Sequence, residues 1–229
     1  MNIVLIPGLW LNGSSWDPVT HRLEQAGHTV QALTLPGLQS HDADRGGIGL
    51  ADHVAAVVAA IDAVAGPSLV VGHSASATLA CCAADVRPEK VRRLVYVGGF
   101  PGEDGAPFMQ GLPAEGDDVP FPGWAAFEGP DSADIDEPTK ARLLEEFVPS
   151  PAGVLADTVH LVDERRHAIP VTAVCPEYSP DDLREWMAAG DLPELSRARD
   201  VEMVDIDSGH WPQITAPRRL SELILAAAR

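Results

Sequence analysis

The run Ser68-Leu69-Val70-Val71-Gly72-His73-Ser74-Ala75-Ser76-Ala77 decides how the chain reads. Ser68–Gly72 has the length and character of a strand buried on both faces. Ala75–Asp85 follows as a helix built of small residues. A serine caught between the two sits on a sharp turn at the strand's carboxyl end, with its Oγ projecting clear of the sheet. Such a turn needs small flanking residues, because the helix passes close to the neighbouring strands. Gly72 meets that need, and Ser76 is small enough to meet it on the other side. Ser74 is therefore the candidate nucleophile. The competing expectation is that it merely starts the helix as an N-cap.

Working outward, strands and helices alternate. Asn2–Ile6 is an apolar run stopped by Pro7-Gly8, and Trp16–Gln25 repeats Trp16, Val19 and Leu23 near helical spacing before Gly27. His28–Leu35 reads as a strand, Leu50–Val64 as a helix closed by Gly66-Pro67, and Val91–Val97 as the strand after the serine helix. That rhythm predicts an α/β fold, a mostly parallel, doubly wound sheet with helices on both faces. From Pro101 to His167 the rhythm lapses into Pro, Gly and acidic residues with Phe108, Phe121, Trp124 and Phe127 among them. Helical patterns return there at Pro138–Phe147 and Ala152–Arg165. The alternation resumes with strand Val171–Cys175, helix Pro180–Ala189, strand Val201–Ile206 and helix Ala216–Ala228. The expected organisation is one core of residues 1–100 and 168–229, with 101–167 inserted as a lid, since so long a structureless loop is uncommon.

A serine nucleophile on such a sheet calls for an acid and then a histidine later in the chain. Asp207-Ser208-Gly209-His210-Trp211-Pro212 follows the last strand, so His210 is placed to take the Ser74 proton and return it to a leaving group. Gly209 gives that loop freedom to turn the ring inward; a plain surface-loop histidine is the competing expectation. Two backbone N–H groups should hold an oxyanion, that of Ala75 after the nucleophile and that of Leu9 after the first strand. Gly8 lets the backbone approach the substrate. His73 should point away from Oγ and pack or hydrogen-bond behind the turn. His160 and His167, with Asp163 and Glu164 between them, lack the spacing of a zinc helix, so no metal is expected.

Pro7-Gly8-Leu9-Trp10, Gly72-His73-Ser74 and Gly209-His210 together resemble the three landmark motifs of the α/β-hydrolase superfamily, over essentially the whole chain. In its compact start the chain is similar to the small methylesterase and hydroxynitrile-lyase branch. The resemblance implies a lidded enzyme without a cofactor, acting on a small ester or related acyl substrate. Gly8 and Trp10 of the first loop are candidate substrate contacts, and Trp124, with Phe108, Phe121 and Phe127, is expected either to cover an apolar pocket or to form only the core of the lid. Pro7 stands where most relatives have histidine, and Ser76 where most have glycine. The resemblance also places the acid just past the strand Val171–Cys175, where relatives often carry an aspartate at positions held here by Tyr178 and Ser179. Asp181 and Asp182 fit the first turn of a helix capped by Ser179 and opened by Pro180. Glu177 has no such structural reason to exist and is the candidate acid; Asp181, or no acid from this loop, remain open.

The function expected is a carboxylesterase-like serine hydrolase working through an acyl-enzyme on Ser74. A lyase or other cofactor-free reaction on the same scaffold is one alternative. The only lysines, Lys90 and Lys140, fall in a helix–strand loop and in the lid, and Leu9 is apolar, which argues against it. A non-catalytic ligand-binding protein is the other alternative, opposed by the Ser74–His210 pair. A formal charge of −18 over 229 residues repels phosphate backbones and anionic lipid, so neither nucleic acid nor membrane is an expected partner. Met1-Asn2-Ile3-Val4 carries no basic leader. Cys81, Cys82 and Cys175 lie in apolar surroundings and fit a reducing cytoplasm better than a disulfide framework. The chain is read as a monomer or homodimer with a small, partly apolar substrate.

Overall fold

A six-stranded, wholly parallel sheet carries the fold in the computed structural model, which describes residues 1–229. Its core begins with β1 (Asn2–Ile6), β2 (Thr29–Ala32), β3 (Ser68–His73) and β4 (Val91–Val97). Two-residue strands β5 (Asp118–Val119) and β6 (Ser150–Pro151) form a separate antiparallel pair, and β7 (Val171–Cys175) and β8 (Val201–Asp205) complete the sheet. The order is β2-β1-β3-β4-β7-β8. Helices α1 (Asp17–Gln25), α2 (Leu50–Asp62) and α3 (Ser76–Val86) connect the early strands. Next come α4 (Glu137–Glu146), α5 (Ala152–Ala156), α6 (Pro180–Ala189), α7 (Pro193–Ser196), α8 (Pro212–Thr215) and α9 (Pro217–Ala227).

Period-two alternation divides the central strands between two cores. Val4, Ile6, Val70 and Tyr96 face α2 and α3, packed with Val57, Ile61, Leu79 and Ala80. Ile3, Leu5, Leu69, Val71, Val95 and Val97 face the opposite way, onto Val19 and Leu23 of α1 and Leu220 and Ile224 of α9. Every residue of β3 and β7 is buried, as strands covered by helices on both sides require. The chain leaves β1 toward β2 and returns to β3 on the other side. The carboxyl ends of β1 and β3 therefore lie side by side at the point where the winding reverses, where open α/β sheets form their binding crevice. Pairing of Ile6 with Gly72 brings the Pro7–Trp10 loop directly alongside Ser74.

Segment 101–167 departs from its sequence reading in one stretch. Helix was expected over Ala152–Arg165, but α5 stops at Ala156, and only a 3-10 turn, Glu164–Ala168, follows. The intervening backbone finds better partners elsewhere. Phe108 N–H donates to Asp157 O and Val159 N–H to Ala106 O, each at 2.8 Å, while the Asp85 carboxylate accepts the N–H groups of Val162 and Asp163. Asp157 turns its carboxylate onto Leu50 N–H at 2.8 Å, capping α2 from outside that helix. Buried Arg166 bridges Asp85 and Glu194, and His167 also bonds Glu194, so both are committed to fastening this segment to the core. The final helix, expected from Ala216, is preceded by the short α8, and Pro217 opens α9 where its missing N–H does no harm.

Above the carboxyl ends of the strands, segment 101–167 meets the core through aromatic rings. Phe121 lies 5.2 Å from Trp10 and 4.6 Å from Phe147, and Trp124 lies 5.4 Å from Trp211. Leu143 of α4 and Ile135 are buried in the same cluster. No helix is long and apolar enough to cross a membrane.

Candidate active site

Between the end of β3 and the start of α3 the chain has only Ser74 and Ala75 in which to reverse. Ser74 takes up φ +55°, a left-handed conformation costing about 1–3 kcal/mol for a residue with a side chain. Its surroundings hold it there. Ser74 N–H donates to Val97 O at 2.8 Å, and Ala77 N–H donates to Ser74 O at 3.0 Å. A Cβ on Gly72 would collide with the Ser76 carbonyl, and one on Gly99 with the carbonyl of Ser74 itself. Gly98, at φ +59°, leaves room for the His210 ring and the Glu177 carboxylate. The Gly98-Gly99 pair went unnoticed in the sequence, although two glycines directly after a core strand were its visible trace.

Ser74, His210 and Glu177 form one hydrogen-bonded chain. His210 Nε2 lies 2.9 Å from Ser74 Oγ, and His210 Nδ1 lies 2.8 Å from Glu177 Oε1. A carboxylate only accepts, so Nδ1 carries the proton, and the lone pair of Nε2 is left for the serine hydroxyl. The imidazole and carboxylate side chains are only 13% and 15% exposed, so little water competes for the contact. Of the carboxylates weighed for the acid, Asp182 accepts from Ser179 at the start of α6 and Asp181 pairs with Arg184 on its surface. Glu177 is the one that meets His210. Its second oxygen, Oε2, is buried without a hydrogen-bond partner.

The backbone of His210 is gripped from both sides. His73 Nε2–H donates to its carbonyl at 2.7 Å, and its own N–H donates to Asp131 O at 2.8 Å. His73 is fully buried, with Gln213 Nε2–H donating to its Nδ1 at 3.2 Å. Burial first, and the neighbouring His210 second, push the His73 pKa down to about 3, so the ring stays neutral. Buried Gln213 was not singled out in the sequence, having no motif around it.

The Pro7–Trp10 loop packs onto the turn from the other side. A Cβ on Gly8 would stand 2.7 Å from His73 Nδ1 and 3.2 Å from Ser74 Cβ, so glycine is needed for this approach. Neither the Leu9 N–H nor the Ala75 N–H donates to an acceptor within the chain. Trp10 adopts φ +64°, and its indole is buried, donating to Val119 O at 3.0 Å. Trp124 packs between Phe121, Phe147 and Trp211 and donates to Lys140 O. Both tryptophans thus belong to the aromatic contact between loop and segment 101–167. The two positions that depart from the family pattern touch each other: Ser76 Oγ, buried, donates to the Pro7 carbonyl at 2.5 Å.

A small apolar void of about 10 Å³ borders Gly8, Leu9 and Ser76 and is walled by Leu35, Leu79 and Phe108. The largest cavity, about 620 Å³, lies elsewhere, between α2 and α3 along Leu50, Val54, Val58, Cys82 and Val86. None of Ser74, His210 and Glu177 borders it.

With this geometry in view, comparison with known proteins defines the class. The profile of the alpha/beta hydrolase family matches residues 3–223, and the chain belongs to that family. Among solved structures it is similar to an extracellular alpha/beta-hydrolase from a Paenibacillus species, described as sharing structural and functional homology with tobacco salicylic acid binding protein 2. That pair is 19% identical with a TM-score of 0.80, covering 99% of this chain and 98% of the other. A pyrethroid hydrolase from Sphingobium faniae JZ-2 is 20% identical with a TM-score of 0.75, over 100% and 97% of the two chains. A methylesterase from Arabidopsis is 15% identical with a TM-score of 0.75, over 100% and 98%. No curated protein sequence matches the chain.

Proposed function

We propose that the protein is a serine esterase that cleaves a small carboxylic ester through an acyl-enzyme on Ser74. The observation carrying this reading is the unbroken chain from Ser74 Oγ through both nitrogens of His210 to Glu177. In the reaction, Ser74 Oγ attacks the ester carbonyl while His210 Nε2 takes its proton. The Glu177 carboxylate holds the imidazole in the required tautomer and stabilises the imidazolium. The N–H groups of Leu9 and Ala75 receive the oxyanion, with Gly8 allowing the approach. Collapse breaks the bond to the alkoxy oxygen, which leaves with the proton from His210. Water, deprotonated by the same nitrogen, then attacks the acyl-enzyme; the Oγ–acyl bond breaks, His210 returns the proton to Ser74 Oγ, and the carboxylic acid is released.

Segment 101–167 serves as the lid, and Trp10 and Trp124 fix its aromatic underside above the substrate. The apolar side chains of Leu9, Leu35, Leu79 and Phe108 around Gly8 favour a substrate with an apolar portion. A pyrethroid hydrolase and a methylesterase among the similar structures are in keeping with an ester substrate. The −18 charge opposes nucleic acid or anionic membrane as a partner. Three free, buried cysteines accord with a reducing cytoplasm. The test is labelling with a fluorophosphonate, then hydrolysis of p-nitrophenyl esters of increasing chain length. Wild type should be labelled, and Ser74→Ala and His210→Ala should not. A folded wild type that neither labels nor hydrolyses any ester refutes the proposal.

A further inference from the structure

The loop carrying His210 runs from the end of β8 to α8, and much of what holds it comes from segment 101–167. Asp134 Oδ2 accepts the Gly209 N–H at 2.7 Å and the Ser208 hydroxyl at 3.2 Å. Asp131 O accepts the His210 N–H one step further along. Gly209 cannot carry a side chain here, because a Cβ would collide with the Asp131 carbonyl and the Asp134 carboxylate. Asp134 itself is exposed and forms no ion pair with any Lys, Arg or His. What its carboxylate binds is the histidine loop.

The turn that presents Asp134 is anchored on both sides. Ser132 is buried and donates its hydroxyl to Phe127 O at 2.7 Å, and Ile135 is buried in the aromatic cluster. Phe127 lies against the His210 ring, with centroids 6.2 Å apart and planes 28° from parallel. The inserted segment thus grips the N–H side of His210, while His73 grips its carbonyl from the sheet. Without the first grip the loop keeps the His73 bond and the 2.8 Å contact of Ser208 Oγ with Thr215 Oγ1, but nothing holds the Gly209 and His210 N–H groups.

We propose that Asp134 is a positioning residue for His210, so that the general base is correctly aimed only when the inserted segment is docked on its loop. This rests on the serine-esterase reading for its catalytic consequence, but not for its structural content. A carboxylate suits the task because hydrogen bonds to a charged acceptor are shorter and stronger than neutral ones. Asparagine retains an acceptor oxygen for Gly209 N–H; alanine retains none.

The experiment compares wild type, Asp134→Ala and Asp134→Asn in the full chain. One readout is the imidazole NMR of ¹⁵N-histidine-labelled protein, following the Nδ1 proton that His210 shares with Glu177. The others are the rate of fluorophosphonate labelling and the kcat and KM for p-nitrophenyl acetate. In Asp134→Ala the Nδ1 proton should broaden or vanish, and labelling and kcat should fall about tenfold, the scale of one charge-assisted hydrogen bond. KM should stay within about twofold, since ground-state binding is untouched. Asp134→Asn should regain most of the loss. An Nδ1 resonance unchanged in Asp134→Ala overturns the inference. Failure of folded wild type to label sinks the esterase reading instead, and the imidazole resonance still decides the role of Asp134.

Discussion

Acid should attack this fold through His73, and the perturbation is to replace that ring with a side chain that cannot titrate. His73 is buried and donates Nε2–H to the His210 carbonyl. Its Nδ1 lone pair faces the Gln213 amide at 3.2 Å, with both side chains shut away from water. Its pKa falls from the ordinary 6.5 to about 3 in the folded chain, chiefly through burial. The unfolded chain therefore binds a proton between those values that the folded chain refuses, so stability is lost as pH falls below about 6.5. The slope approaches about 1.4 kcal/mol per pH unit, amounting to about 2–3 kcal/mol at pH 4.5 and on the order of 4 kcal/mol by pH 3. Urea unfolding, followed by tryptophan fluorescence from pH 4.5 to 7.5, measures it. Glu194 and Asp62, whose pKa values are lowered, also lose stabilisation in acid, but they do so equally in wild type and variant. His73→Gln, which keeps an amide donor for the His210 carbonyl, should lose close to one proton from the pH dependence between 4.5 and 6.5. Equal slopes in the two proteins would refute the reasoning.

Ser76→Ala leaves the Pro7 carbonyl buried without its donor, which costs about 1–3 kcal/mol. It also loosens the Leu9 loop, so kcat should fall with KM little changed; denaturation midpoints and ester kinetics equal to wild type would count against the contact. Glu177→Gln should reduce kcat by about 10³–10⁴-fold, the scale known for loss of the carboxylate behind a serine-protease histidine. A loss below roughly threefold, with Asp181→Ala the more damaging variant, would reassign the acid.

Much of the fold could be read from the sequence because its central strands are buried on both faces and its helices are bounded by glycine and proline. Ser68–His73 and Val171–Cys175 present continuous apolar runs, and local pattern alone marks them. Helix α6 was legible to the residue, since Ser179, Pro180 and Asp182 state its start in local chemistry. The failure at Ala152–Arg165 has the opposite origin. Its backbone partners are Ala106, Phe108 and Asp85, remote in sequence, and no local pattern announces them. Site residues divide the same way. Ser74 and His210 lie at strand ends and declare themselves. His73, Gln213, Asp131 and Asp134 act through contacts that exist only once the sheet and the inserted segment have met.

Glu177 sharpens the point. It was singled out because the neighbouring carboxylates had structural reasons to exist and it had none, an argument by elimination. The structure shows what elimination could not supply: Gly98 bares the end of β4, leaving space for both the carboxylate and the ring it faces. One of the two family departures yields to a similar argument. Read one at a time, Pro7 and Ser76 are each a mismatch. In space the Ser76 departure has a structural reason, because its hydroxyl satisfies the buried backbone carbonyl of residue 7, and glycine at 76 could not; the proline ring takes no part in that bond. That bond ties the first turn of α3 to the loop bearing Leu9. Ser76 thus joins the two backbone segments whose free N–H groups flank Ser74. The acceptor is backbone, which any residue at position 7 supplies, so the cost of losing the Ser76 hydroxyl should persist whatever side chain stands at position 7.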